Sequence, residues 1–300
     1  MCFKGQLPGA TFADGADAYI RAWAQGDAEA AHCLSALSGV GAGLPKNWRQ
    51  AMVLAGGAAA AGWTAAQKQL AMLGGLDPRD SHNWSAVAAS VDWAAWMAPP
   101  VVSVFSENPR IRLFPELIPP TACSLLIEEA GDKLVAATVY GRSEHSNVVE
   151  ETRNNAQATF YWMEGGVLVN LVRERIAAAM QADTGDLEFL TILNYQPGQR
   201  FLPHFDFLDP EAPGHAAEIA AAGQRVATFL VSLNDDYEDG GTYFPALGHA
   251  LRGHPGDGFC FYNVDAAGRP DPASRHAGLP PRDGQKWIIS QFVREARAPA

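Results

Sequence analysis

From Leu187 onward the chain changes its periodicity, and that change limits the fold more than any other feature. Short runs rich in β-branched and aromatic residues recur at Phe189 to Tyr195, Arg225 to Asn234, Gly258 to Tyr262 and Lys286 to Val293. They are separated by Asp235-Asp236, by Asp239-Gly240-Gly241 and by Pro255-Gly256-Asp257-Gly258, which are turn-forming sequences. Many short strands with Gly, Pro and Asp between them predict an antiparallel double-sheet jelly roll. The residues before Leu187 read mostly as helix, so the expected class is α+β, a jelly roll (double-stranded β-helix) buttressed by helices.

The first 98 residues are Ala-rich, and alanine has the highest helix propensity. Gly26, Ala30, Leu34 and Leu37 recur as Gly62, Ala66, Leu70 and Leu73, each pair 36 residues apart. That period belongs to helix-turn-helix arrays of the tetratricopeptide kind. The spacing of Ala51, Leu54, Ala58, Ala59 and Gly62 is similar to that of the Sel-type relatives of that repeat. A further helix is predicted over Trp84 to Met97. It is stopped by Pro99-Pro100, because proline cannot continue the helical hydrogen-bond ladder. The expected division is therefore a helical-repeat domain over 1–98 and a second domain over 99–300. Within the second, Val101 to Phe105 reads as a strand, while Ala122 to Ala130 and Val167 to Met180 read as helices. The polar segment Arg142 to Asn155 lacks apolar periodicity and reads as a loop, of the kind that often borders a site. Asp209 to Gly223 reads as an insertion on the substrate side.

Charge and composition exclude several classes of function. The formal net charge is −11 and there is no basic run, which argues against nucleic acid and against anionic membrane surfaces. Cys2, Cys33, Cys123 and Cys260 are scattered, which fits neither a zinc site nor a disulfide framework and suits a reducing compartment. The first residues lack the apolar core of a signal peptide, and the run Met52 to Trp63 is too short and too rich in glycine to span a bilayer. The expectation is a cytoplasmic protein. No Gly-x-Ser-x-Gly elbow and no phosphate-cradling Gly-rich loop ending in Lys-Ser/Thr is present.

The chemistry is concentrated in Tyr195 to Asp206, around His204-Phe205-Asp206. In extended chain, residues two apart project to the same side, so an imidazole and a carboxylate are brought together. A third ligand, a neutral imidazole, would complete two His and one carboxylate, a set that leaves open positions on Fe(II). In Lys286 to Val293, period-two alternation puts Lys286, Ile288, Ser290 and Phe292 on one face. A lysine facing a core is costly unless it meets an anion, and a dicarboxylate co-substrate is such an anion.

On these pieces, taken in order, the chain resembles the prolyl 4-hydroxylases. The matching sequences are Glu188 to Tyr195, Pro197-Gly198-Gln199, Pro203 to Phe207, Arg225 to Leu230, Gly240 to Pro245, Gly256 to Asn263, Arg275-His276-Ala277 and Lys286-Trp287. The resemblance spans roughly Asn108 to Glu295. It implies Fe(II), 2-oxoglutarate and O2 as cofactor and co-substrates, with ascorbate as a helper. It also implies His204, Asp206 and His276 as iron ligands, and Lys286, Tyr195 and Thr228 as partners of 2-oxoglutarate. Since Asp206 is retained, hydroxylation is expected and chlorination is not. Where the family often has Trp six residues after the lysine, this chain has Phe292, a departure on the substrate side. The substrate expected is a small free amino acid of the proline or pipecolate kind. An acid and a forked cation are needed to hold its two charges. Glu150, Arg153 and Arg225 are the candidates, and Phe292 would pack on a saturated ring. Two other readings are a peptidyl-prolyl hydroxylase whose repeats recruit a protein, and a repeat scaffold without activity.

Overall fold

The computed structural model describes residues 9–140, 147–148 and 152–296. In chain order its helices are α1 (Phe12–Ala24), α2 (Ala28–Val40), α3 (Trp48–Ala60), α4 (Thr64–Gly74), α5 (Trp84–Ser90), α6 (Ala94–Met97), α7 (Pro120–Gly131), α8 (Gly166–Met180) and α9 (Pro213–Ala222). Its strands are β1 (Ser103–Glu107), β2 (Arg110–Phe114), β3 (Val135–Ala136), β4 (Val139–Tyr140), β5 (Asn147–Val148), β6 (Ala156–Thr159), β7 (Thr191–Tyr195) and β8 (Phe201–His204). They continue as β9 (Arg225–Ser232), β10 (Glu238–Asp239), β11 (Thr242–Phe244), β12 (His249–Leu251), β13 (Gly258–Tyr262), β14 (His276–Gly278), β15 (Pro281–Asp283) and β16 (Lys286–Arg294). The chain forms two compact units. One takes in the residues up to Ala98 together with Phe160–Arg175, and the other is built from Pro99–Thr159 and the residues from Ile176 onward.

In the first unit α1, α3 and α5 start at 12, 48 and 84, and α2 and α4 start at 28 and 64, so each start recurs after 36 residues. The capping chemistry recurs as well. Thr11, Asn47 and Asn83 each accept a hydrogen bond from the backbone three residues on, satisfying one of the orphan N–H groups at a helix start. Gly26 and Gly62, at φ 91° and 93°, make the turns into α2 and α4, a conformation that side chains with a Cβ rarely adopt. Leu34 and Leu70 occupy matching buried positions. The predicted helix over Trp84 to Met97 is broken: Val91 is extended, and Asp92 accepts from the Ala95 N–H. A capping Asp after a β-branched residue ends one helix and starts the next. Val167 and Leu171 of α8 join the core of α3, α4 and α5, and Asn170 Nδ2 donates to the Ala36 carbonyl at 3.1 Å.

The second unit carries the strands. Among the described residues a large antiparallel sheet has the order β1-β2-β13-β9-β16-β7-β6-β3, and a small one has the order β12-β11-β14-β8. The chain passes from β7 in the large sheet to β8 in the small one, back to β9, out to β11 and β12, back to β13, out to β14 and back to β16. This winding between two sheets is that of a jelly roll. Leu193, Leu230, Phe259, Phe261 and Ile288 of the large sheet meet Phe244 and Leu251 of the small one in a single core. Sequence periodicity does not reveal β8, β11, β12 and β14, because three or four residues are too few to establish alternation.

The insertion after Asp206 is anchored. The Gln224 amide donates to the Leu208 carbonyl and accepts from the Leu208 N–H, both at 2.7 Å. His215 Nδ1 accepts from the Asp209 N–H at 2.9 Å, which gives this histidine a structural place. Glu188 accepts from Arg225 Nε at 2.6 Å and Nη2 at 3.0 Å and stands 2.6 Å from Arg294 Nε, while Arg294 Nη2 reaches Glu218 of α9 at 2.7 Å. Burial raises the Glu188 pKa, but the two guanidinium groups outweigh it and hold the carboxyl below its ordinary value. Glu188→Ala would leave Arg225 and Arg294 without their shared anion. We expect a loss of about 3 kcal/mol, the lower end for breaking a buried pair because Glu188 is partly exposed, read as a lower denaturation midpoint. Unchanged stability would show that the arginines find solvent.

Candidate active site

Strand register builds the site. In the small sheet β14 pairs with β8 so that His276 lies opposite His204, and Asp206 follows two residues later. In the large sheet β16 pairs with β7 so that Lys286 lies opposite Tyr195, and with β9 so that Phe292 lies opposite Thr228. Along each strand the alternation rule groups such residues on one face, as it does Lys286 and Phe292. Only the pairing of strands distant in sequence brings them into one cavity.

His204 Nδ1 lies 2.8 Å from the Leu202 carbonyl, and His276 Nδ1 lies 3.0 Å from that of Ser274. A carbonyl only accepts, so each ring carries a proton on Nδ1, and in its neutral form offers the Nε2 lone pair. Those two Nε2 atoms stand 3.3 Å from Asp206 Oδ1 and Oδ2 respectively. Adjacent ligands on an octahedral ion with bonds of about 2.1 Å are about 3.0 Å apart, so the three residues fit one divalent ion with its remaining positions open. Among the described residues this is the one such cluster of His, Cys and carboxylate groups. Burial works to raise the Asp206 pKa, but the charge of His276 and the hydrogen bonds of both imidazoles hold it well below its ordinary value. Burial, helped by His276, pushes His204 down. A metal requires an ionised carboxylate here, and a bound cation would take the place of the protons on the two Nε2 atoms. Phe201 stacks on His204 at 3.4 Å between ring centroids, and the Arg153 guanidinium lies 4.7 Å from the Phe201 ring centre.

The cavity next to these ligands is lined by Tyr195, Thr228, Thr242, Lys286, Ser290 and Phe292, with Leu193, Leu230, Ile288 and Gly278 in its walls. Lys286 is 2% exposed, and among the described residues no carboxylate pairs with it. Its Nζ lies 5.1 Å from the Tyr195 ring centre, and burial, with Arg252 nearby, pushes its pKa down to about 7. A buried ammonium without an anion is a site waiting for one. Gly278 gives the Tyr195 hydroxyl its room, since a Cβ there would stand 2.9 Å from that oxygen.

The other expected residues divide. Arg153 lines the cavity, held by Nε to Asn155 Oδ1 at 3.0 Å and by Nη1 to the Thr138 carbonyl at 2.7 Å. Phe292 lines it too. Arg225 does not: its fork is taken by Glu188 and its face lies 3.8 Å from the centre of Phe292. Thr228 reaches the cavity, but its hydroxyl donates to Asp206 Oδ2 at 2.7 Å. Glu150 lies outside the described residues. Thr242 was missed by the sequence reading. It is 4% exposed and lines the same cavity as Lys286 and Tyr195, in a three-residue strand directly after a Gly-Gly pair that reads only as a turn. Asn263, just past β13, was missed as well.

Residues 190–294, the stretch that holds all of these ligands, match the family described as the 2OG-Fe(II) oxygenase superfamily. Prolyl 4-hydroxylase 1 of Arabidopsis thaliana is 28% identical over 206 residues, 64% of this chain and 71% of that protein. A putative prolyl 4-hydroxylase of Acanthamoeba polyphaga mimivirus is 30% identical over 183 residues, 60% of this chain and 72% of that one. Against prolyl 4-hydroxylase subunit alpha-1 of Rattus norvegicus the identity is 29% over 191 residues, and the chain spans only 35% of that subunit's length. Among solved structures, the viral collagen prolyl hydroxylase from Paramecium Bursaria Chlorella virus-1 in complex with 2OG aligns with a TM-score of 0.46 at 23% identity. It covers 62% of this chain and 96% of that one. Sequence likeness over most of a relative's length, with the ligand stretch inside it, places this chain in the 2OG-Fe(II) oxygenase superfamily as a prolyl 4-hydroxylase-like Fe(II)/2-oxoglutarate dioxygenase.

Proposed function

We propose that the chain hydroxylates an unactivated C–H bond of a small free amino acid, cyclic and of the proline or pipecolate kind. The observation that supports this best is Arg153. Its guanidinium enters the cavity that holds the ligand set, and its partners among the described residues occupy Nε and one Nη1 hydrogen. The hydrogens remaining on Nη1 and Nη2 suit a substrate carboxylate, which a planar fork binds with two bonds. Phe292 supplies an apolar face for a saturated ring.

His204, Asp206 and His276 would hold Fe(II). When bound, Fe(II) and 2-oxoglutarate supply the oxidative decarboxylation by O2 that is coupled to C–H hydroxylation. The chain's own part is binding and orientation. Lys286 meets the distal carboxylate of 2-oxoglutarate, with the hydroxyls of Tyr195 and Thr242 beside it. Thr242 takes the place expected for Thr228, whose proton is committed to Asp206. Leu193, Leu230 and Ile288 form an apolar wall around the co-substrate.

A peptidyl substrate is a second reading, favoured by Leu202 and Phe205. They flank His204 and are 39% and 40% exposed, which offers apolar surface to a chain longer than one residue. In either case we take residues 99–300 as the catalytic domain. We take the 36-residue helical pairs of 1–98 as Sel-type repeats that support it or recruit a partner. No helix among the described residues is long and apolar enough to cross a membrane. Cys33, Cys123 and Cys260 are free thiols, in keeping with a cytoplasmic protein.

His204→Ala or His276→Ala should lose bound Fe(II) and all turnover, measured by metal analysis and by succinate release, because two remaining ligands hold a labile ion poorly. Full activity in either variant would remove the ligand assignment. Lys286→Ala should raise the 2-oxoglutarate half-saturation on the order of 10²- to 10³-fold, the loss of a buried charge partner. With its pKa at about 7 in the empty cavity, Lys286 is neutral above that pH and charged below it. Binding the dianion above pH 7 therefore takes up a proton, and affinity should fall by up to about tenfold per pH unit. Calorimetry in two buffers of different ionisation enthalpy reads that uptake directly, and a pH-independent affinity would show that the lysine is already charged. A side-by-side assay of free L-proline, free L-pipecolate and a Pro-rich peptide decides the substrate class. Hydroxylation of the peptide alone would refute the free amino acid.

A further inference from the structure

Beside Asp206 lies a buried hydrogen-bonded chain that runs through Thr228, a residue that also lines the cavity. Asn263 Nδ2 donates to Thr228 Oγ1 at 3.0 Å, and Thr228 Oγ1 donates to Asp206 Oδ2 at 2.7 Å. Asn263 and Thr228 are 0% and 1% exposed. Counting protons fixes the direction of the chain. An amide NH2 group only donates, and a hydroxyl has a single proton. Once the Thr228 oxygen receives from Asn263, its own proton is left for Asp206.

Asn263 is held in place to do this. Its backbone N–H donates to the Val226 carbonyl at 2.9 Å, and its carbonyl accepts from the Asp271 N–H at 3.0 Å. Its Oδ1 is buried without a partner among the described residues. A buried amide with one end unbonded is unfavourable, so it is the donor end that the fold retains. Thr228 is fixed equally well, in the middle of β9 between Phe261 of β13 and Phe292 of β16.

We infer that Thr228 and Asn263 are positioning residues that hold the Asp206 carboxylate in place as a metal ligand, an inference that rests on the reading of His204, Asp206 and His276 as the ligand set. Thr228 ties Oδ2 to β9, while Oδ1 stands 3.3 Å from His204 Nε2 and Oδ2 stands the same distance from His276 Nε2. A carboxylate without that tie is free to turn away from the two imidazoles, and an ion between them would lose its third ligand. Partners of this kind orient a ligand without touching the metal.

The test titrates the metal-free full-length protein with Mn(II), followed by the EPR signal of the free ion, and then titrates 2-oxoglutarate into the Mn(II)-loaded protein. Thr228→Val should weaken Mn(II) binding by about 10- to 100-fold. Thr228→Ser should restore it, because the hydroxyl returns, and Asn263→Ala should fall between, because the threonine proton is then free to turn away. Wild-type Mn(II) affinity in Thr228→Val, with only 2-oxoglutarate binding weakened, would make Thr228 a co-substrate contact and overturn the positioning role. If Thr228→Val does not fold, wild-type Mn(II) affinity in Asn263→Ala overturns it just as well. His204→Ala is the control for the ligand set itself. If it binds Mn(II) as the wild type does, the ligand reading fails and the positioning role falls with it, a result distinct from the failure of the threonine variants alone.

Discussion

Asp206 is a carboxylate taken almost wholly out of water, and the geometry of the site follows from how that charge is kept. Two imidazole Nε2 atoms stand 3.3 Å from its oxygens, and a threonine hydroxyl stands 2.7 Å from one of them. Each imidazole is oriented by a backbone carbonyl two residues earlier, so that the chain which brings the ligand also sets its tautomer. An isolated buried carboxylate would take up a proton, whereas this one is held well below its ordinary pKa by its neighbours.

The second charge has the opposite character. Lys286 is buried without an anion, and its pKa falls to about 7. Among the described residues no carboxylate pairs with it, and such a position suits an anionic co-substrate. Asp206 and Lys286 thus line one cavity, a compensated negative charge and a positive one that lacks a carboxylate partner among the described residues. Leu193, Leu230 and Ile288 form its apolar wall.

Between the ligand strand β8 and the start of β9 lies an insertion that could have been a flexible cover. Instead Gln224 and His215 brace it internally, and Arg294 of β16 ties it to the sheet through the Gly223 carbonyl at 2.6 Å and Glu218 at 2.7 Å. Glu188 closes the network by holding Arg225 and Arg294 together. That explains why Arg225, a reasonable carboxylate clamp by residue type, is occupied elsewhere while Arg153 is left to face the cavity.

The sequence by itself determined the local facts. Period-two alternation placed Lys286, Ile288, Ser290 and Phe292 on one face, and all four line the cavity. The spacing of His204 and Asp206 put them side by side, and the 36-residue echo in the first unit recurs in the helix starts and caps. These are properties of neighbours along the chain, which propensity and periodicity can express. The tertiary structure decided what depends on strand register. It set His276 opposite His204 and Lys286 opposite Tyr195, bonded the Thr228 hydroxyl to Asp206, and brought Thr242 into the cavity. A three-residue strand has no readable period, and a hydroxyl's partner is chosen by distances across strands that lie tens of residues apart in sequence. Those choices are made by packing two sheets around buried charges, and no local pattern records them.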